Sequence, residues 1–133
     1  MSPALAATPA TSGSGGQIAC NGPSCSGLDP ARTVSSLDGY LCLTGAYTPW
    51  DPSGIARFAT SQGIVELRYS PHCHANWARI TKARPGAGVW VQNWNNEMQQ
   101  QYVPQGRSST YTAMVNGYTT SRAGDSDGFT TWY

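Results

Sequence analysis

Residues 66–80 read ELRYSPHCHANWARI. Together with Gly63, Ile64 and Val65 ahead of it, the stretch alternates Val65, Leu67 and Tyr69 against Glu66, Arg68 and Ser70. That period of two is the mark of a half-buried strand. Ser70-Pro71 breaks the run, and ANWARITK resumes it, so the stretch reads as a hairpin of two strands with Glu66 and Arg68 paired on its outer surface. At its centre Cys73 lies between His72 and His74, the only histidines of the chain. Three chemistries compete for that triplet: a metal site, a nucleophile with its base, and a disulfide anchor.

Zinc needs four converging ligands, or three and a water. In extended backbone His72 and His74 share one face while Cys73 points to the other, and no further histidine or HExxH pattern supplies the rest. No metal or other cofactor is therefore expected. A free Cys73 nucleophile would leave one of the four cysteines without a partner. Two disulfides among Cys20, Cys25, Cys42 and Cys73 account for all four, as in small secreted domains with thin cores. Spacing leaves the connectivity open. The favoured pairing joins Cys73 to Cys20 or Cys25, because the irregular N-terminal segment has little core of its own.

Outward from the hairpin, turn signals recur at short spacing. ARPGAG leads into VWVQNW, Asn95-Asn96 into EMQQQYV, and Pro104 to Arg107 into STYTAMV. Asn116-Gly117 is the strongest hairpin signal, a type I′ candidate leading into YTTSR, and DSDG precedes FTTWY. Asp29-Pro30 and Asp51-Pro52 place a capping side chain before a proline, which predicts one or two helical turns over ARTVSSL and SGIARF. With 15 Gly, 9 Pro, 5 Trp and 7 Tyr in 133 residues, the expected class is all-β. The architecture is a small antiparallel meander, closed as a barrel or stacked as a sandwich, and stapled by disulfides.

The boundaries follow composition. Residues 1–17 are almost entirely Ala, Ser, Thr, Pro and Gly, too apolar-poor to fold alone, and read as a disordered tail ahead of one β domain at 18–133. The tail also resembles a mature N-terminus from which a secretion signal has been removed, which with the cysteines points to an extracellular protein. Net charge is +1 with 11% charged residues, no footprint for nucleic acid, and no apolar run has the length to cross a membrane.

The acids do not assemble a hydrolytic pair. Asp29 and Asp51 have capping roles, and Asp125 and Asp127 lack the other ligands of a calcium loop. There is no GxSxG, phosphate loop or dinucleotide fingerprint. An enzyme is not expected. Two binding elements remain. Leu5, Ala6, Ala7, Thr8, Pro9 and Ala10 could order in a partner's groove. Trp90, Gln92 and Trp94 share a strand face, read first as one wall of an aromatic core and second as a partner- or sugar-stacking platform.

CNGPSCSGLDP and GIVELRYSPHCHANWARI together resemble a family of small secreted actinobacterial domains of unknown function. Its pattern is CxGxxCxGxDP followed by an ELRYSxxCxAxWAR-like core. Cys20, Cys25 and Asp29-Pro30 match the opening, and Glu66 to Ser70, Cys73, Ala75 and Trp77 to Arg79 match the core; Cys42 matches a third cysteine. The C-terminal cysteine of many members is missing from SRAGDSDGF, so no pairing carries over. The resemblance spans most of residues 18–120 and implies a secreted β domain with no known catalytic activity. More distantly, an Ala/Pro tail ahead of a disulfide-linked β domain is similar in plan to the adaptor subunit of Streptomyces umbrella toxin particles. The expected function is thus a secreted adaptor binding one or more secreted proteins. The alternatives are a carbohydrate- or cell-wall-binding domain and a protease inhibitor.

Overall fold

The computed structural model describes residues 17–133. Leu5 to Ala10 lie outside the described residues. The chain is all-β. Its strands are β1 (Ile18–Cys20), β2 (Thr33–Ser35), β3 (Trp50–Asp51), β4 (Gly54–Ile55), β5 (Arg57–Ala59), β6 (Ile64–Ser70), β7 (Ala75–Thr81), β8 (Gly88–Asn93), β9 (Met98–Tyr102), β10 (Thr110–Tyr111), β11 (Val115–Asn116), β12 (Ser121–Asp125) and β13 (Gly128–Phe129).

The quoted hairpin forms as expected, with β6 and β7 antiparallel from Ile64↔Thr81 to Ser70↔Ala75. It is the centre of a first sheet ordered β10-β7-β6-β5, with β11 also against β7. A second sheet runs β13-β12-β8-β9. Both sheets are open and their inner faces stack as a sandwich. Val65, Leu67, Ala78 and Ile80 of the first meet Val89, Val91 and Ala123 of the second, all fully buried. Short aliphatic side chains fill the layer between the sheets, and the partly buried Phe58 and Tyr133 pack against it.

The path is not a meander. After β7 the chain crosses to the second sheet for the β8–β9 hairpin, returns for β10 and β11, then crosses again for β12 and β13. Asn116-Gly117 is therefore no hairpin: β11 pairs with β7 and β12 with β8. Gly117 serves close approach instead. A Cβ there would stand 2.7 Å from the Ala75 backbone nitrogen, where the crossing strand grazes the hairpin.

Neither expected helix forms. Asp29 Oδ1 accepts the Ala31 amide at 2.9 Å and Asp51 Oδ1 accepts the Ser53 amide at 2.8 Å, the local bonds of Asx turns. Beyond each turn the backbone is extended: β-branched Thr33 and Val34 enter β2, and Asp51 pairs with Gly54 in the β3–β4 hairpin. The helical content among the described residues is one 3₁₀ turn at Gly22–Cys25. β1 and β2 pair in parallel, a departure from the all-antiparallel expectation.

The segment before β3 forms a third layer on the outer face of the first sheet. Leu28 and Ala46 close over Trp77, Ala75 and Met114. Two disulfides lie within this second core: Cys20–Cys25 and Cys42–Cys73. The favoured pairing of Cys73 with Cys20 or Cys25 is corrected. The 3₁₀ turn brings Cys25 back onto its neighbour Cys20, and it is the longer loop, through Cys42, that reaches the hairpin.

Candidate functional site

His72, Cys73 and His74 sit in the turn between β6 and β7 and not on a strand. Pro71 and the Ser70 hydroxyl, which accepts the Cys73 amide at 3.0 Å, shape that turn. Cys73 Sγ is bonded to Cys42. His72 Nδ1 lies 2.8 Å from Asp38 Oδ2, and its ring stacks on Tyr40 with centroids 4.7 Å apart. His74, in the left-handed region at φ 52°, stacks on Tyr118, and both reach the Asn21 amide oxygen at 3.0 Å. The imidazoles thus fasten the N-terminal layer to the hairpin from either side of the disulfide. The hydrogen bond from His72, with the Tyr40 amide, holds the Asp38 carboxyl below its ordinary range.

Glu66 is not the surface partner of Arg68. It is 7% exposed. Its Oε1 accepts from Arg79 Nε and Nη2 at 3.0 and 2.6 Å, and its Oε2 accepts from the Thr48 hydroxyl at 3.2 Å. Arg68 instead donates to Thr48 Oγ1 and the Ala46 carbonyl. Burial pushes the Glu66 carboxyl up, but the Arg79 hydrogen bonds and charge, with Thr48 and Arg68, outweigh it and hold it below its ordinary value. A depressed folded value means stability that is present above the unfolded carboxylate range and lost as pH falls through the folded value. Glu66→Gln is therefore expected to cost about 1–3 kcal/mol at neutral pH. The difference from the unaltered chain should vanish as the pH is lowered below that range, as read by urea unfolding at stepped pH.

Asp125 and Asp127 form the polar turn expected of DSDG. Asp125 accepts from the Thr60 hydroxyl and the Asp127 amide, and Asp127 from Ser61. Tyr111 donates to Asp29, and burial, then the charge of Asp29, pushes its hydroxyl up to about 12. A cleft of about 210 Å³ runs between the β3–β4 hairpin and the chain end, lined among others by Ser53, Arg57, Phe58, Phe129 and Tyr133.

The most distinctive surface is the outer face of the second sheet. Trp90, Gln92 and the neighbouring Trp94 do not wall a core. Val89, Val91 and Asn93 take the inner face of β8, so its alternate residues turn outward. Trp94 is 62% exposed and meets Trp132 edge-on with centroids 5.0 Å apart. Register brings Gln100, Trp90 and Gly124 into one row, continued by Phe129, and Met98, Gln92 and Arg122 into the next. Gly124 has no room for a Cβ, which would lie 2.5 Å from Trp90 Cζ2; the bare backbone lets the indole lie over β12. The Arg122 guanidinium stands over the Phe129 and Trp132 rings, 4.4 and 4.5 Å from their centroids, and over Trp90 at 5.8 Å. Gln92 Oε1 accepts from Arg122 at 3.0 Å. Arg122, Phe129 and Met98 carry no functional signal in the sequence. Once Trp90 faces outward, strand pairing alone assigns Arg122 and Met98 to its side.

Rings, amides and one cation held over the rings make up this face. A family model described as a protein of unknown function matches residues 23–125, taking in the Cys42–Cys73 loop and the hairpin, beginning after Cys20 and ending before Phe129 and Trp132. No curated protein and no solved structure matches the chain.

Proposed function

We propose that the chain, which belongs to the family described as Protein of unknown function (DUF2690), is a secreted, non-enzymatic protein-interaction module. Its β domain docks one partner through the outer face of the second sheet, and its tail engages another, as an adaptor in a secreted assembly of the antibacterial-toxin kind. The observation that carries this reading is the Arg122 guanidinium fixed between Phe129 and Trp132 beside exposed Trp94. Trp, Tyr and Arg are the residues that dominate binding energy at protein interfaces. Holding Arg122 in place beforehand reduces the ordering cost of association. Two disulfides support an oxidising compartment.

The test is affinity purification from culture supernatant, followed by binding measurements on the captured protein. Arg122→Ala and Trp94→Ala are each expected to weaken binding by roughly 30-fold or more, and deletion of residues 1–15 to remove the second partner. Unchanged affinity in the two folded point variants would sink the docking face. A second reading is favoured by the Trp94–Trp132 pair with the amides of Gln92 and Asn96 beside it, a platform on which a sugar ring could stack. Retention on insoluble peptidoglycan or chitin, abolished by Trp94→Ala, would select it over the adaptor.

A further inference from the structure

The two disulfides are not separate staples. Cys20, Cys25, Cys42 and Cys73 are all buried, and their four sulfur atoms lie within 4.8 Å of one another. Cys20 Sγ and Cys42 Sγ, which are not bonded, are 3.9 Å apart. Four thiolates around a tetrahedral zinc, with Zn–S about 2.3 Å, stand about 3.8 Å apart along each edge. Cys20 and Cys25 are separated by four residues, within the spacing at which one short loop supplies two zinc ligands, and the 3₁₀ turn between them folds both sulfurs inward. Cys73 comes from the rigid β6–β7 turn, and Cys42 from the loop packed on it.

We propose that this cluster is a redox-linked metal site: with both disulfides reduced, the four cysteines bind one Zn²⁺ as a tetrahedral tetrathiolate. Reduction by a phosphine or dithiol adds two electrons and two protons to each disulfide, giving four thiols and the oxidised reductant. Zinc then displaces the four protons and leaves a complex of net charge −2. The packed neighbours Trp77, Met114, Ala75 and Leu28 keep water away, and the one other donor among them, the neutral Met114 thioether, is a far weaker zinc ligand than a thiolate. The fold thereby has two ways to close the N-terminal layer over Trp77: covalently where the surroundings oxidise, and through the metal where they reduce. Zinc binding is expected to weaken steeply as pH falls below the thiol range, because four protons compete with one ion.

The experiment takes the full chain, reduced with tris(2-carboxyethyl)phosphine without oxygen and titrated with Co²⁺ as a spectroscopic stand-in, then with Zn²⁺. One Co²⁺ per chain is expected, with the intense visible bands of tetrahedral cobalt and the charge-transfer band of thiolate ligation, displaced by one equivalent of Zn²⁺. The metal-loaded chain should keep the near-ultraviolet dichroism of the oxidised protein, whether or not the reduced metal-free chain does. Cys25→Ser should weaken binding roughly 100-fold or more, since even outer hydrogen-bond partners of metal ligands are worth 10- to 100-fold. The oxidised chain should bind none. Absence of stoichiometric binding would overturn the proposal, as would binding accompanied by loss of the near-ultraviolet signal, which would mean that only the unfolded chain chelates.

Discussion

Trp77→Ala is expected to lower folding stability by about 3–5 kcal/mol, the range for deleting a large buried aromatic side chain. Trp77 is 2% exposed, and it occupies an unusual place for a residue on the outer face of a sheet. The N-terminal layer covers it: both disulfides, Leu28, Ala46 and Met114 gather around its ring. Layer and sheet are rigidly tied there by Cys42–Cys73, so the surroundings cannot collapse into the space left by the indole, and the cavity term adds to the lost burial. For a domain of this size, with a total of about 5–15 kcal/mol, that is enough to populate unfolded chain at moderate temperature. Equilibrium unfolding in urea, followed by far-ultraviolet dichroism, reads the difference. A loss below about 1 kcal/mol, the level of an ordinary surface change, would mean that the layer does not seat on Trp77.

The second large effect separates the two disulfides. Cys42–Cys73 spans 31 residues and Cys20–Cys25 spans 5. In the chain-entropy account a cross-link stabilises by shrinking the unfolded ensemble, and the gain grows with the logarithm of the loop. It amounts to about 4 kcal/mol for the longer loop and about 2 kcal/mol for the shorter one. Replacing Cys42 and Cys73 together by alanine should therefore be clearly the more damaging pair of changes. Cys20→Ala with Cys25→Ala should leave a folded domain with a loosened entry strand. Thermal unfolding of both double variants under identical conditions decides it, and equal or reversed losses would contradict the assigned connectivity.

The hairpin at residues 64–81 was legible because alternation, a proline break and a central cysteine all agreed. Its disulfide partner was not: loop entropy favours any long closure alike, and Cys20, Cys25 and Cys42 differ only in where the 3₁₀ turn and the loop place them. The direction of β8 was hidden for a related reason. Both of its faces carry apolar residues, valines on one and tryptophans on the other, and period two fixes which side chains share a face without fixing which face is inside. Packing against Val65, Leu67 and Ile80 settles it in favour of valine. Asn116-Gly117 misled in the opposite sense, since a strong local turn signal was outweighed by a packing demand from Ala75, distant in sequence. Arg122 offered no signal by itself; its place depends on pairing with Gln92, thirty residues away.

The first sheet is sandwiched, with the N-terminal layer on one side of it and the second sheet on the other. β1 opens that layer, and Trp94, Arg122 and Phe129 look out from the far surface. The N-terminal layer also touches the second sheet at the rim: a Cβ at Gly27 would stand 3.8 Å from the Gln99 side chain of β9, and Tyr118 bonds Asn21 next to β1. Loosening of the N-terminal layer, as by loss of a disulfide, would thus reach the strand that carries Met98 along the surface, without passing through the core of the sandwich.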